Sequence, residues 1–341
     1  MALLSLHCPN CHSDNCQTHT RYEVSSGSDR NIYHCQECGH YFSETQNTPL
    51  EDLKTPLSKI SDVLEAINDG MSINAACRRF KTTRRTINRW IERLGKLTDV
   101  LLLYALCHQF LEVIIEGDEF YTKVDKNKPP SESEGWTIIL MDRASRFIWK
   151  LRCGEHDSSL FESAIETLAS VIEQTDDLSL MTDGERRYGN LLFEICQEVI
   201  RNGSVGRPKT TLKEGVKVRV KNKGSGAHKT GPKRPKYQAP QPEHTGTRQN
   251  IEEKEIHANH VEALNSSLRR RLSCYRRKTN TYAKDILPLQ RRLDAYWVLH
   301  NFVWPHFTLK EVPAVALGIL EKGLSWFKLF RIPFFSPPIS I

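Results

Sequence analysis

The sequence predicts an α/β core preceded by two small modules, one rich in cysteine and one helical. Three observations lead to this prediction. Two Cys-x-x-Cys pairs lie near the start, helical periodicity follows over residues 55–96, and strand-like and helix-like runs alternate over 110–200. Apolar spacing near 3.6 residues indicates a helix, and spacing of two indicates a strand. We expect domains at 1–48, 49–98 and 99–312, and a tail at 313–341.

The composition limits the class of protein. A chain of 341 residues is long enough for two or three domains, and 39% hydrophobic with 26% charged residues is ordinary for a globular protein. The net charge of +7 suits a polyanionic partner without proving one. The ten cysteines form no recognisable disulfide framework, which favours a cytoplasmic location. The longest apolar stretch, 97–115, includes charged residues, so we expect no membrane partner.

The cysteine module has the ligand spacing of a zinc ribbon. A Cys-x-x-Cys pair places two thiolates on one edge of a metal, and a second pair completes a tetrahedral site. Gly39 follows the second pair, where a tight turn needs a permissive residue. A redox dithiol pair is the alternative. The sequence therefore predicts one structural Zn²⁺, with twenty-three residues between the two pairs of ligands, which are Cys8, Cys11, Cys35 and Cys38.

The helical module has the pattern of a helix-turn-helix. A first helix ends at Asp69-Gly70, a second short helix ends near Phe80, and Thr83 can cap the third. A basic outer face on the third helix is how such a motif offers side chains to the DNA major groove. A plain three-helix bundle with a solvated basic face is the alternative. The candidate DNA-binding residues are Arg84, Arg85, Asn88 and Arg89.

The core has strand-like runs with acids at their ends. The runs are 111–115, 136–141, 147–151 and 178–182, and a helix is predicted over 158–172. Asp118 follows the first run and Asp183 follows the fourth. Three strands, a helix and a fourth strand, with acids at the first and fourth strand ends, are the layout of an RNase H-like fold. Glu116, Glu119 and Asp142 are nearby acids that we expect to play no catalytic part.

A later helix supplies a third acid. The run from His260 to Arg271 predicts a helix on which Glu262, Asn265 and Arg269 share one face. Such a helix would direct Glu262 toward the strand ends and place cations where phosphates lie. The cations are Arg269, Arg270 and Arg271. We expect His257 and His260 to be ordinary residues at the helix start, and contact with a metal site or with DNA is the alternative.

These motifs together resemble the DD(E) transposases of the insertion-sequence-one family, in the single-reading-frame form. The resemblance covers roughly residues 5–312 and includes the order of the modules. Tyr121 stands where that family often has Trp, and Ala263 where an Arg often follows the Glu. The matching segments are Asp118-Glu119-Phe120-Tyr121, Thr182-Asp183 with Tyr188, Glu262 with Asn265, and His300-Asn301-Phe302 with Pro305-His306.

The resemblance implies an enzyme that cuts and joins DNA strands. Asp118, Asp183 and Glu262 would form a triad that binds two Mg²⁺ or Mn²⁺ ions. The partners would be double-stranded DNA at the ends of a transposable element and at its target. Because two ends must be held together, we expect a homodimer or higher oligomer, associated with the nucleoid. The rivals are a DNA-binding regulator with an inactive core and a metal-dependent RNase H-like nuclease without strand transfer.

The spacing of 79 residues from Asp183 to Glu262 is long for this class, and a basic insertion at 203–247 accounts for it. Residues 207–236 contain eleven Lys or Arg and one acid. Such a segment would bind phosphate in a salt-dependent way, and a basic loop without set structure is the alternative. Residues 216–221 alternate like one strand of a ribbon. The apolar, proline-interrupted residues 323–341 are expected to dock on the protein.

Overall fold

The computed structural model describes residues 6–24, 27, 29–125, 130–182, 185, 187–200, 208–220, 241–242, 257–276 and 279–334. Over these ranges the chain forms a cysteine module, a helical module, an α/β core and a C-terminal segment. Asp183 and most of the basic insertion lie outside the described residues.

The cysteine module is a three-stranded antiparallel sheet with a very small core. Its strands are β1 (Cys16–Glu23), β2 (Asp29–Cys35) and β3 (Tyr41–Ser43). The buried residues of its own cluster are Cys8, Cys35 and Phe42. So little apolar surface does not stabilise a fold by itself, and a bound metal would supply the missing free energy.

The helical module has the three predicted helices. Gly70 ends the first helix with a φ of +101°, and Lys81 turns the chain after the second with a φ of +49°. The Thr83 side chain accepts a hydrogen bond from the Thr86 amide and caps the third, as predicted. Ile87, Trp90, Ile91 and Leu94 are buried. The helices are α1 (Leu57–Asn68), α2 (Ile73–Phe80) and α3 (Arg84–Gly95), and α4 (Leu97–Leu106) leads into the core.

The core contains a mixed sheet whose order is β11-β10-β7-β4-β5-β6 within the described ranges. Strand β5 is antiparallel to both β4 and β6, whereas β7 lies parallel to β4 and β10 parallel to β7. The α/β class is confirmed. The strands are β4 (Val113–Tyr121), β5 (Trp136–Asp142), β6 (Ile148–Gly154), β7 (Leu178–Thr182), β10 (Val216–Val220) and β11 (Gln241–Pro242). A separate hairpin pairs β8 (Gln197–Ile200) with β9 (Lys209–Leu212).

Two strands differ from the prediction. Strand β4 begins at Val113 and continues through the acids to Tyr121, because β5 pairs with it along most of its length. Asp118 therefore lies inside the strand rather than after it. Strand β10 belongs to the central sheet, so its interpretation as a ribbon strand is wrong. Its valines are buried in the core, and Lys217 pairs with Asp177 beside β7 at 2.8 Å. Part of the predicted insertion is therefore core structure.

Helices cover both faces of the sheet. Gly117 of β4 faces Tyr188 of α6, while Phe120 of β4 packs its ring against Tyr275, which follows α7. The edge strand β6 lies along α8, where the Gln290 side chain bonds the backbone of Leu151 and Cys153. These hydrogen bonds use backbone groups of the edge strand that would otherwise be open for pairing with another strand. The helices are α5 (Ser158–Ile172), α6 (Arg187–Cys196), α7 (Asn259–Arg271) and α8 (Ile286–Phe302).

The C-terminal segment packs on the N-terminal modules. Trp326 donates its indole N–H to Glu65 of α1 at 2.6 Å, and Arg331 pairs with Glu44 at 2.9 Å. Phe330 and Ile332 are fully buried. The described part of the tail therefore docks on the protein, as predicted. It contains the short helices α9 (Pro313–Ala316) and α10 (Trp326–Leu329). Among the described helices, none has the length and apolar character needed to cross a bilayer.

Candidate functional site

The four paired cysteines meet at one point. The Sγ atoms of Cys8 and Cys38 are 3.6 Å apart, and those of Cys11 and Cys35 are 3.5 Å apart. All four sulfur atoms lie within 4.8 Å of one another. A tetrahedral zinc with Zn–S bonds near 2.3 Å requires sulfur atoms about 3.8 Å apart. The donor set and its spacing therefore fit a structural zinc ion.

The backbone and one amide prepare this cluster for a metal. Gly39, with a φ of +72°, donates its amide to the Cys35 carbonyl at 3.0 Å and closes the second turn. The Asn10 side chain donates to Cys38 Sγ, which lowers the pKa of that thiol to about 6. The nearby Cys16 instead donates its thiol to the Ser13 carbonyl. The site thus favours thiolate at Cys38, and Cys16 packs beside the cluster without being one of the four cysteines that could share a metal.

The central contact of the core joins β4 to α7. Asn265 of α7 donates its side-chain amide to Asp118 Oδ2 at 2.6 Å. Asn265 is only 4% exposed, and its Oδ1 atom has no hydrogen-bond partner among the described residues. A buried acceptor without a donor costs free energy unless water or a cation contacts it. This pair of oxygen-bearing side chains fits a hard divalent cation by its chemistry.

The other two predicted acids are placed differently. Glu262 lies on the exposed side of α7, three residues before Asn265 and hence about one turn away. Asp183 lies outside the described residues. Thr182, the residue before it, pairs in register with Gly117, the residue before Asp118. The structure therefore brings Asp118 and α7 together and places the strand that precedes Asp183 beside them.

Glu116, an acid that we expect to play no catalytic part, fixes the start of α7. Its buried carboxylate accepts hydrogen bonds from the His260 and Val261 amides at 2.9 and 3.1 Å. It also accepts bonds from His260 Nδ1 and Arg143 Nε, both at 2.8 Å. Burial raises the pKa of this carboxyl, but the His260, Val261 and Arg143 donors outweigh burial and lower it. An anion at a helix N-terminus also interacts favourably with the helix dipole.

This role of Glu116 was missed, although one signal was present. Glu116 and Asp118 are two residues apart in a strand and so share a face. A helix that contacts Asp118 is therefore also brought to Glu116. His260 is bound to that carboxylate, so it is more than an ordinary helix-start residue.

The opposite face of β4 carries a separate cluster. Glu119 accepts a hydrogen bond from the buried Tyr188 hydroxyl at 3.4 Å. Burial first, and then the charges of Asp118 and Glu185, raise the pKa of Glu119 to about 7. Arg187 pairs with Glu185 at 2.8 Å on the same side. Glu119 therefore faces away from the Asp118–Asn265 contact, as the alternation of a continued strand requires.

Asp142 stabilises the turn that joins β5 to β6. Its Oδ2 atom accepts bonds from the Ser145 amide at 2.7 Å and from the Ser145 hydroxyl at 2.6 Å. These bonds hold the Asp142 carboxylate at the turn between β5 and β6. Asp142 is accordingly a structural residue.

The predicted cationic residues form two surfaces. On α3, Arg85 and Arg89 are exposed and Asn88 is half-buried, while Arg84 donates to Asn74 Oδ1 at 2.7 Å. At the end of α7 the three arginines differ in their surroundings. Arg269 lies 5.2 Å from the Phe120 ring centroid, Arg270 is exposed, and Arg271 pairs with Asp69 at 3.2 Å.

Comparison with protein-family models finds none that matches this chain, and comparison with curated proteins finds no significant match. The chemistry of the site is therefore the basis on which its function can be inferred.

Proposed function

We propose that this protein is a DD(E) DNA transposase that binds the ends of a transposable element and carries out metal-dependent strand cleavage and strand transfer. The observation that carries the proposal is the contact between Asp118 on the central strand and Asn265 on α7. It places the helix that bears Glu262 over the strand that bears the first acid. Sequence separation alone does not predict such a contact.

The sheet supports an RNase H-like core. Three successive antiparallel strands are followed by a helix and by a strand parallel to the first, and a further parallel strand lies beyond it. Five neighbouring strands lie in the order β6-β5-β4-β7-β10, which supports such a core, and β11 lies beside β10 in the same sheet. The first acid of the proposed triad lies on the middle strand of these five. This agreement is independent of the short motifs from which the resemblance was inferred.

The three acids would hold the metal ions. Asp118 contacts α7, Glu262 lies one turn from that contact, and Asp183 follows Thr182, whose partner precedes Asp118. Bound Mg²⁺ or Mn²⁺ would stabilise charge on the attacking and leaving oxygens of a phosphodiester. The Asn265 amide would orient the Asp118 carboxylate through its hydrogen bond. Phosphodiester transfer otherwise depends on position and charge, so no side-chain nucleophile is needed.

The N-terminal modules would recognise DNA. Helix α3 presents Arg85 and Arg89 to solvent behind the short turn at Lys81, as a recognition helix does in a helix-turn-helix. The net charge of +7 favours a polyanion. Because two element ends must react together, the active form would be a dimer or higher oligomer on chromosomal DNA.

A strand-transfer assay tests this proposal. Purified protein, Mg²⁺, a labelled duplex from the inverted repeat beside the gene and a supercoiled target plasmid are combined. We expect joined products from the wild type and none from Asp118→Asn or Asp183→Asn. Glu119→Gln is the matched control, because Glu119 is the neighbouring acid on the other face of β4, and it should retain joining. End binding without any nicking would instead indicate a regulator, and nicking without joining would indicate a nuclease.

A further inference from the structure

A cleft beside α7 is not used by the proposed triad. It has a volume of about 400 Å³ and lies between α7, the end of α8 and the loop that follows α8. That size is within the range of sites that hold small organic ligands. The loop contributes Trp304, His306 and Phe307.

The cleft is basic. None of the described residues that line it carries a carboxylate. Arg270 is exposed at its margin, so a phosphate would meet a cation there. The His306 Nδ1 atom is buried and has no hydrogen-bond partner among the described residues. The charged and titratable side chains are Arg146, His260, Arg270, Arg271, His300 and His306.

The cleft also offers aromatic surface to solvent. Phe307 is 84% exposed, which is unusual for so large an apolar side chain, and Lys310 lies 4.2 Å from its ring centroid. Arg271 lies 5.0 Å from the Trp304 ring centroid. Phe307 is thus an exposed ring and Trp304 a half-buried one, each beside a cation, and such a surface allows nucleic-acid bases to stack while their phosphates are held.

The cleft and the Asp118–Asn265 contact lie on different sides of the same helix, α7. Ala263 and Ser267 line the cleft and are each two residues from Asn265, hence roughly 160° around the axis of α7. The exposed Glu262 lies between these two sides. Crossing α7 covers about 10 Å, which is about three base-pair steps of duplex DNA at about 3.4 Å each.

We infer that the cleft binds one unpaired base of the DNA substrate strand, stacked against Phe307 and Trp304 with its phosphate at Arg270. The inference rests on the proposed function, because it gives the DNA strand that reaches the triad a second contact with the protein. The ligand is a nucleotide within a DNA strand. Because stacking tolerates every base, the pocket recognises the unpaired state rather than a sequence.

Fluorescent DNA tests the pocket without any cleavage. The probe is the full-length protein with a duplex that ends in a three-nucleotide fork carrying 2-aminopurine, compared with the same duplex fully paired, in Ca²⁺ buffer. We expect a fluorescence change only with the fork and roughly tenfold tighter binding of the fork. Phe307→Ala should remove this preference and leave binding of the paired duplex unchanged.

Phe327→Ala is the matched control, because Phe327 is 54% exposed and also lies near a cation, with Arg331 Cζ 3.9 Å from its ring centroid. It should keep the preference for the fork. Ala263→Phe, which adds bulk from an exposed helix position, should abolish the preference as Phe307→Ala does. Equal binding of fork and duplex by the wild type, or an unchanged preference in both cleft variants, would overturn the pocket.

The two proposals fail separately. Fork preference without strand joining would leave the pocket in place and remove the transposase. Strand joining without a preference for the fork would leave the transposase in place and remove the pocket.

Discussion

Asn265 of α7 donates its side-chain amide to Asp118 of β4 at 2.6 Å, and its other amide atom is a buried oxygen without a hydrogen-bond partner among the described residues. The two residues are far apart in sequence, and Glu116, two residues before Asp118, holds the N-terminus of the same helix. Strand β4 therefore fixes α7 at two points. The position of Glu262 follows from these two contacts.

We predict that Asn265→Ala slows strand cleavage about 10- to 100-fold and raises the Mg²⁺ concentration needed for half-maximal rate. A residue that orients a metal-binding carboxylate affects activity and metal affinity by this amount. Single-turnover cleavage over a Mg²⁺ titration measures both quantities. Ser266→Ala, at the neighbouring exposed position, is the control and should behave as the wild type. An Asn265→Ala rate within twofold of wild type at every Mg²⁺ concentration would contradict the prediction.

We predict that Glu116→Ala lowers the free energy of unfolding by about 3–5 kcal/mol. The substitution removes the carboxylate that Arg143 contacts at 2.8 Å and leaves two amides at the start of α7 without their acceptor. Urea unfolding followed by circular dichroism measures the loss. Glu112→Ala removes an exposed acid four residues earlier, and its effect should stay within about 0.5 kcal/mol of zero. Similar midpoints for the two variants would argue against the anchoring role of Glu116.

Metal content provides a prediction for the cysteine module. We expect one zinc per chain by mass spectrometry of the purified protein, and no zinc in Cys38→Ser. Cys16→Ser is the matched control, since Cys16 bonds the Ser13 carbonyl outside the cluster, and it should keep its zinc. Chelation should unfold residues 6–43 because their small core cannot hold the three strands together without a metal. Zinc retained by Cys38→Ser would exclude the four-cysteine site.

Local patterns were enough to predict most elements of the fold. The helix over 158–172 and the strand over 178–182 have the predicted bounds because their apolar periodicity and end residues agree. The end of β4 was predicted too early, since acids were taken to end a strand. Pairing with β5 and β7 satisfies the backbone there, and Asn265 and Tyr188 satisfy the acids.

The parts that depend on long-range contacts could not be predicted. The sequence shows Val216, Val218 and Val220 as a strand but does not show that β7 is its partner. Likewise, no local sequence pattern predicts that Arg143 or His260 contacts Glu116. Asn265 was visible within a motif, but its hydrogen bond to Asp118 follows only from the packing of α7 on β4.

Stability should depend on pH through His300. Burial, aided by nearby His306 and Arg271, lowers the pKa of His300 to about 4, although its bond to the Arg146 carbonyl opposes the shift. A histidine with a lowered pKa stays neutral in the folded state but takes up a proton when unfolded. Folding stability is therefore complete above pH 6.5 and falls as the pH drops from 6.5 to 4, by about 3 kcal/mol.

His300→Gln separates this contribution from other titrating groups. Gln keeps a donor for the Arg146 carbonyl, which His300 Nε2 contacts at 2.9 Å, but it cannot take up a proton. The difference in unfolding free energy between wild type and variant should be constant above pH 7. It should then shift in favour of the variant toward pH 4. Parallel curves over the whole range would show that His300 does not titrate on unfolding.

The docked tail leads to a comparison between two phenylalanines three residues apart. Phe330 is fully buried and Phe327 is 54% exposed. Phe330→Ala should lower the free energy of unfolding by about 3–5 kcal/mol, whereas Phe327→Ala should change it by less than about 1 kcal/mol. Because Trp326 bonds Glu65 and Arg331 bonds Glu44, the loss should also speed hydrogen exchange in α1 and β3. Equal unfolding curves for the two variants would mean that the tail is not docked in solution, since an undocked tail would leave both rings in water.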